Sequence, residues 1–401
     1  MRLVVVGGGI VGAACAWTAS ELGAEVILVD AALPGQATAA GAGIICPWSA
    51  RADDPAWYAL ACISAREYPN LIERLAEAGE AEVSYRRVGA LYLAGGERPG
   101  HERPGHERPD NESPEHERPD NERLAYERLE STRAALVSRR ASAPEIGEIE
   151  LLPPDQARDL FPPLRPGASA VLIGGAARVD GRLMAQALAG AARRRGAVVR
   201  HGRAAIEVGS GRVSGVTVDG ERVGADAVVV AAGAWSGALL KSAGVAVPVR
   251  PQRGQIAHIG VPDADTSQWP VILPSGSGHY LLAFDDSRVV AGATREPDAG
   301  FDCRVTPAGV HEVLGEALAV APGLGSGTLL ETRVGLRPVG PDGLPLIGPV
   351  AGVGGLVVAT GLGASGLTMG PYTGHLAARA ALGLDPGMDL APYDPLRGMA
   401  P

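Results

Sequence analysis

Leu3-Val4-Val5-Val6-Gly7-Gly8-Gly9-Ile10-Val11-Gly12 begins with four apolar residues, breaks into glycines, and continues from Ala13 to Leu22 with helical composition; Glu25 to Val29 then leads to Asp30. Read as strand, turn, helix, strand and terminal acid, this is a nucleotide-binding βαβ unit. Gly7 permits the tight turn off the strand, Gly9 lets backbone approach a pyrophosphate with no Cβ in the way, and Gly12 brings the helix close to the strand. The helix N-terminus presents free N–H groups and the positive end of its dipole to phosphates. Asp30 can accept from the 2′- and 3′-hydroxyls of an adenosine ribose and would repel a 2′-phosphate, so the ligand expected is NAD or FAD, not NADP. A secretory signal is the competing reading, since Arg2 precedes the apolar run and Ala37-Thr38-Ala39 resembles a cleavage site. Three consecutive glycines, and the charges of Glu21, Glu25 and Asp30, argue against it.

Outward from this unit, 401 residues with 46% apolar content are enough for a large core divided between two domains. No apolar run approaches bilayer length, so a transmembrane segment is not expected and membrane contact could only be peripheral. The net charge of −9 argues against nucleic acid as a partner, although one cation in a cleft can outweigh diffuse surface charge. Cys15, Cys46, Cys62 and Cys303 have no CxxC spacing, which fits reduced thiols in a cytoplasm, and no metal site is expected.

From Glu97 to Ser131 a five-residue unit recurs (ERPGH, ERPGH, ERPDN, ESPEH, ERPDN, ERLAY, ERLES), a period matching neither a helix nor a strand face. Proline at 99, 104, 109, 114 and 119 opposes a continuous helix, so 97–123 is expected to be a mobile, low-complexity loop. Helix should resume only where Leu124 and Leu129 replace proline. His101, His106 and His116 invite a metal reading, but ordering such a segment would cost conformational entropy, and a tolerated surface duplication is the simpler account.

Elsewhere strands and helices alternate. Arg182 to Arg194 reads as an amphipathic helix, Val198 to Val208 and Arg212 to Val218 as strands, and Asp219-Gly220 as a hairpin turn. Asp226 to Ala231 reads as a strand, continuously apolar after its first residue, as in a parallel sheet covered on both faces. Val249 to Thr294 reads as a second, mostly antiparallel sheet. Leu356 to Ala359, the loop Thr360 to Gly366 and a helix through Ala381 make a second strand, glycine-rich loop and helix. That loop offers another helix N-terminus, suited to the electron-rich N1 and O2 side of an isoalloxazine or to a phosphate, and Ala232-Gly233-Ala234 supplies small residues where backbone would pass a cofactor. An NAD dehydrogenase needs neither, and no His/Asp or Tyr/Lys catalytic pair stands out, so FAD is favoured.

On VVVGGGIVG with Asp30, ATAAGAGII (37–45), ADAVVVAAGAWSGAL (225–239), PVRPQRGQI (248–256), HYLLAFDDSRVVAGATRE (279–296), VGLRPVGPDGLPLIG (334–348) and ATGLGASGLTMGPYTG (359–374), the chain resembles the FAD-dependent D-amino-acid oxidase family. The likeness is to its glycine oxidase, D-amino-acid dehydrogenase and sarcosine oxidase group, and covers the chain except the repeat. It implies an α/β fold: a Rossmann-like FAD-binding domain from 1–85, 170–248 and 333–395, with a smaller, mostly antiparallel α+β substrate domain from 86–169 and 249–332.

The resemblance also implies site residues. Gly7, Gly9, Ile10, Val11, Gly12 and Asp30 would hold the ADP half. Thr38, Ala42, Gly43 and Ile44 would lie along the pyrophosphate and flavin ring, Ala205 would touch adenine, and Ala232, Gly233 and Trp235 would border the flavin middle. Gly361, Leu362, Gly363, Ala364, Ser365, Gly366, Leu367 and Thr368 would close over the isoalloxazine. Arg337, which would also border the cofactor, and Tyr280 would grip the substrate carboxylate, and a guanidinium fork suits that task better than an ammonium. The implied reaction is hydride transfer from the α-carbon of a D-amino acid to flavin N5, giving an imino acid and then a keto acid and ammonia, with O2 or a quinone as acceptor. The alternatives are a secondary amino acid of the sarcosine, glycine, proline or opine type, or a non-catalytic flavin-binding subunit. The chain departs from the family at Leu362 (often His), Ala364 (Arg in glycine oxidase) and Phe284 (usually Pro); the setting of Cys303 does not match a covalent flavin link, so FAD is expected to be dissociable. Enantiomer, side-chain preference and oligomeric state stay open.

Overall fold

A computed structural model describes residues 1–50, 54–94 and 114–398. The strand Arg2–Val6 lies inside a six-stranded sheet, ordered Leu346–Pro349, Leu356–Thr360, Ala227–Val230, Arg2–Val6, Glu25–Asp30 and Val198–His201. Every pairing is parallel except the outermost, Leu346–Pro349 with Leu356–Thr360. Val4 sits between Val228 and Ile27, and the strand Ala227–Val230 is wholly buried, which explains its unbroken apolar run.

The helix Ile10–Glu21 packs on one face of this sheet against Gly181–Arg194 and Gly366–Ala381 and is buried from Ile10 to Ser20. Two contacts set its closeness. A Cβ on Gly12 would stand 1.8 Å from the Gly7 carbonyl oxygen, and one on Gly374 would stand 2.4 Å from that of Val11. Helix Gly181–Arg194 starts where Asp180 accepts from the N–H groups of Arg182 (2.9 Å) and Leu183 (3.2 Å), an N-cap.

The second large sheet has eight strands in the order Thr328–Val339, Arg250–Gly260, Arg288–Gly292, Tyr280–Phe284, Val271–Pro274, Ala90–Leu93, Ala170–Ile173 and Ile149–Leu152. It is antiparallel apart from the Val271–Pro274 pairing with Ala90–Leu93. Its two longest strands run together from Gly260 opposite Thr328 to Arg250 opposite Val339, which puts Arg337 across from Gln252.

Two expectations change. Val198 to Val208 is two strands: Val198–His201 joins the parallel sheet, and Ala204–Gly209 joins a separate three-stranded antiparallel sheet with Arg212–Val218 and Glu221–Gly224. The chain changes sheet at Gly202 (φ 151°), where a Cβ would stand 2.4 Å from Asp219 Oδ2. Helix also resumes earlier than expected, over Pro114–Arg140: Pro114 stands at the first helical position, where an N–H needs no partner, and the helix continues through Pro119. The earlier repeat copies, from 97 to 113, lie outside the described residues. Among the described residues no helix is long and apolar enough to cross a membrane.

Candidate active site

A cleft of about 530 Å3 begins at the C-terminal end of the strand Arg2–Val6 and extends between the two large sheets. Its floor at one end is Gly7, Gly8 and Gly9. Gly9 is the N-cap of the first helix and has no side chain to cap it, so first-turn N–H groups face the cleft; that of Ile10 is donated to Thr38 Oγ1 (3.1 Å). Gly8, passed over in the sequence reading, is constrained by the acid: its Cβ would stand 2.5 Å from Asp30 Oδ2. The Asp30 carboxylate accepts from the Ala32 N–H (3.0 Å) and from Gln36 Nε2 (3.1 and 3.2 Å). No cation pairs with it among the described residues, which leaves acceptor capacity for a ribose.

The far wall is the loop after Leu356–Thr360. Leu362, Gly363, Ala364, Ser365, Gly366, Leu367 and Thr368 all line the cleft, and the helix that begins at Gly366 also has no side-chain cap. Thr368 uses its hydroxyl on the Ile44 carbonyl (2.9 Å) and Thr360 uses its own on that of Gly233 (2.9 Å), tying three cleft-lining segments together. Ala42, Gly43, Ile44, Ala232, Gly233 and Trp235 complete the walls. The Trp235 ring leans on Phe301 at 5.7 Å between centroids. Two uncapped helix ends, glycine turns without Cβ atoms and an acid with no cation partner among the described residues fit a dinucleotide carrying a ring system.

Three of the expected cofactor residues fall outside the lining. Ala205 is exposed beyond the cleft edge, and Arg203 and Ala204 line it instead, because the chain has turned at Gly202. Gly12 is taken up by the contact with Gly7. Gly361 has φ 80° and faces the backbone of Leu346, so it shapes the loop from behind.

Arg337, Tyr280 and Arg295 all line the cleft and lie near enough to act on one another electrostatically. Glycines make room for all three. A Cβ on Gly254 would lie 2.5 to 2.6 Å from the Arg337 guanidinium, one on Gly292 2.7 Å from Tyr280 Oη, and one on Gly278 3.1 Å from Arg295 Nε. Arg337 Nη1 donates to the Thr294 carbonyl (2.9 Å) and reaches Gln252 Oε1 at 3.4 Å, both neutral. Burial pulls its pKa down, and Arg295 adds to this against the opposing influence of Tyr280 and Glu296. Burial pushes the Tyr280 hydroxyl up against the opposing pull of Arg337 and Arg295, so it stays a neutral donor near neutral pH.

Behind Arg337 stands a polar network that individual motifs did not reveal. Glu296 takes Arg253 Nε (3.0 Å), Gln255 Nε2 (2.8 Å) and Thr294 Oγ1 (2.7 Å), while Arg253 Nη1 holds Asp302 (2.9 Å). Burial opposes ionisation of Glu296, but these donors outweigh it and its carboxyl sits below the usual range. The network fixes Thr294, whose carbonyl holds Arg337. Phe284, at the end of the strand that begins with Tyr280, is flanked by two guanidinium groups, Arg178 at 5.0 Å and Arg288 at 4.6 Å.

Comparison with known proteins agrees with this geometry. The family described as DAO, FAD dependent oxidoreductase, matches residues 2–380. The chain is 44% identical over 398 residues to the uncharacterized oxidoreductase YurR of Bacillus subtilis, covering 99% of each chain. It is 31% identical over 403 residues to glycine oxidase of Pseudomonas putida, covering 98% of each. Among solved structures, iminodiacetate oxidase from a Chelativorans species superposes with a TM-score of 0.88 at 43% identity, covering 98% of this chain and 99% of that one.

Proposed function

The chain belongs to the DAO family of FAD-dependent oxidoreductases, and on that premise we propose that it oxidises the Cα–N bond of a small amino acid whose carboxylate rests on Arg337. The observation that carries this reading is a cleft-lining guanidinium with no carboxylate partner among the described residues, held in place by neutral acceptors. A scaffold without a substrate has no use for such a group. FAD, when bound, supplies the two-electron acceptor for the α-hydrogen.

The protein's own part is placement. Gly7, Gly8, Gly9 and Asp30 would hold the ADP half, and the loop from Leu362 to Thr368 the ring. Arg337 would take the carboxylate through two parallel N–H donors and Tyr280 would add a third from its protonated hydroxyl. With the acid end fixed, the adjacent carbon is held in one orientation and no side-chain base is needed, since the amine lone pair assists departure of the hydrogen. Water then hydrolyses the imine product.

Similarity to glycine oxidase and iminodiacetate oxidase favours a substrate whose oxidised carbon is an unsubstituted CH2 next to a primary or secondary amine. D-Amino acids are the second reading, favoured by the sequence motifs of 334–348 and 359–374. The electron acceptor is O2 or a quinone, the FAD is dissociable, and four free thiols suit a reducing cytoplasm. Anaerobic mixing of the yellow holoenzyme with glycine, sarcosine, iminodiacetate and a D-amino-acid panel, followed by air, tests the proposal. Bleaching by glycine-type amines supports the leading reading and bleaching by chiral D-amino acids alone supports the second; a flavin that stays oxidised with every amine sinks both.

A further inference from the structure

The extended segment after the strand Arg288–Gly292 alternates its side chains. Thr294 and Glu296 turn toward Arg253 and Gln255, in the network behind the site. Arg295, between them, turns the other way and lines the cleft. It lies near enough to Tyr280 and Arg337 to perturb both electrostatically, and Gly278 leaves space beside its Nε.

Two like charges facing one cleft repel each other, and proteins ordinarily neutralise such a pair with a neighbouring acid. Here the nearby acids are already engaged. Glu296 is bound to Arg253, and Asp302 to Arg253 and Arg304. Neither Arg295 nor Arg337 has an ion-pair partner among the described residues, although the chain as a whole carries a net charge of −9. A locally cationic cleft in an acidic protein concentrates anions, and two separate guanidinium groups accommodate two carboxylates better than one.

We infer that Arg295 is a specificity-determining residue that binds a second, distal carboxylate, so that the preferred substrate is an amine bearing an acidic group on each side of its nitrogen. This rests on the proposed function: Arg337 takes the carboxylate next to the oxidised carbon, and Arg295 takes the one on the nitrogen substituent. Arg295 is exposed and Arg337 half-buried, so a substrate spanning the two would carry its distal carboxylate on the solvent side. Monocarboxylic amines would still react, held at one end only.

The test uses holoenzyme. Sarcosine and iminodiacetate differ only by N-methyl against N-carboxymethyl, and (methylthio)acetate and thiodiacetate are their non-oxidisable thioether counterparts. Anaerobic flavin reduction shows which amines react, KM for them is read from steady-state turnover with O2 or a quinone as acceptor, and Kd for the thioethers from perturbation of the flavin absorbance. The wild-type protein is expected to favour each dicarboxylate by about tenfold or more, as one charge-assisted contact allows. Arg295→Gln should abolish that preference while changing sarcosine KM by less than about threefold, and Arg295→Lys should keep part of it. The preference should also shrink as salt is raised.

Three results would overturn the inference: no dicarboxylate preference in the wild type, a preference that survives Arg295→Gln, or equal weakening of both ligand classes by that variant. In each of these sarcosine still bleaches the flavin and the proposed function stands. Failure of the proposed function is recognised separately, as no bleaching by either amine.

Discussion

Arg337 is prepared for an anion by what surrounds it as much as by its own chemistry. Its guanidinium lies over Gly254, where any side chain would occupy the same space, and hangs from the Thr294 carbonyl. Arg337→Ala is expected to raise KM steeply, with loss of about 2 to 5 kcal/mol of charge-assisted binding and little change in flavin content. Gly254→Ala should act similarly without touching the charge: the added methyl pushes the fork aside, so kcat/KM for amino acids falls by tenfold or more while the flavin spectrum is kept. Steady-state kinetics beside the flavin-to-protein absorbance ratio separates these outcomes from misfolding, which would remove both. At this scale the family resemblance singled out Arg337 and Tyr280, and the structure puts both in the lining of one cleft. Arg295 was not singled out, since the sequence shows an arginine beside a glutamate and does not show which of the two turns to the cleft. The Gly8 contact with Asp30 was also hidden, as it depends on two segments meeting in space.

Among the elements, the two strands of the opening unit were readable almost to the residue because the parallel sheet imposes an apolar run, whereas the helix between them begins at Ile10, three residues before the expected Ala13. Strand Ala227–Val230 and helix Gly366–Ala381 were legible for the same reason. The split of Val198 to Val208 was not, because a change of sheet leaves the apolar alternation intact and is marked only by Gly202. Ala205 went with it: the cleft is lined there by Arg203 and Ala204 instead. Helix packing offers a test at this scale. Gly374 lies where helix Gly366–Ala381 meets Ile10–Glu21, with a would-be Cβ 2.7 Å from that of Ala14. Gly374→Ala should destabilise the fold by about 1 to 3 kcal/mol through overpacking and, by shifting the first helix, weaken FAD retention. Urea unfolding and flavin content after dialysis would show it; unchanged values for both would mean that the two helices can move apart freely.

Across the whole molecule, stability should depend on acidity through a residue remote from Arg337. His258 is buried in the strand Arg250–Gly260, accepting at Nδ1 from Arg288 Nη1 (2.8 Å), with Arg333 and Arg182 adding positive charge and Glu331 the opposing acid. Burial first, and then the arginines, lower its pKa from 6.5 to about 4. The folded ring is therefore neutral where the unfolded one begins to take a proton. This contribution is complete above pH 6.5 and is lost as pH falls toward 4, by on the order of 3 kcal/mol in full. His258→Asn should flatten the urea midpoint between those two pH values; an equally steep profile in the variant would assign the effect elsewhere.

The two walls of the cleft come from opposite parts of the chain: its floor from Gly7 to Gly9, its far side from Leu362 to Thr368. During translation, a nascent polypeptide that has not yet reached Leu356 possesses the phosphate turn without the second uncapped helix that faces it. If both ends hold the coenzyme, its capture is expected to follow insertion of Leu356–Thr360 beside Ala227–Val230, and earlier-arrested chains should be recovered colourless from cells replete in riboflavin. Recovery of yellow arrested chains would show instead that the first half of the polypeptide suffices to load.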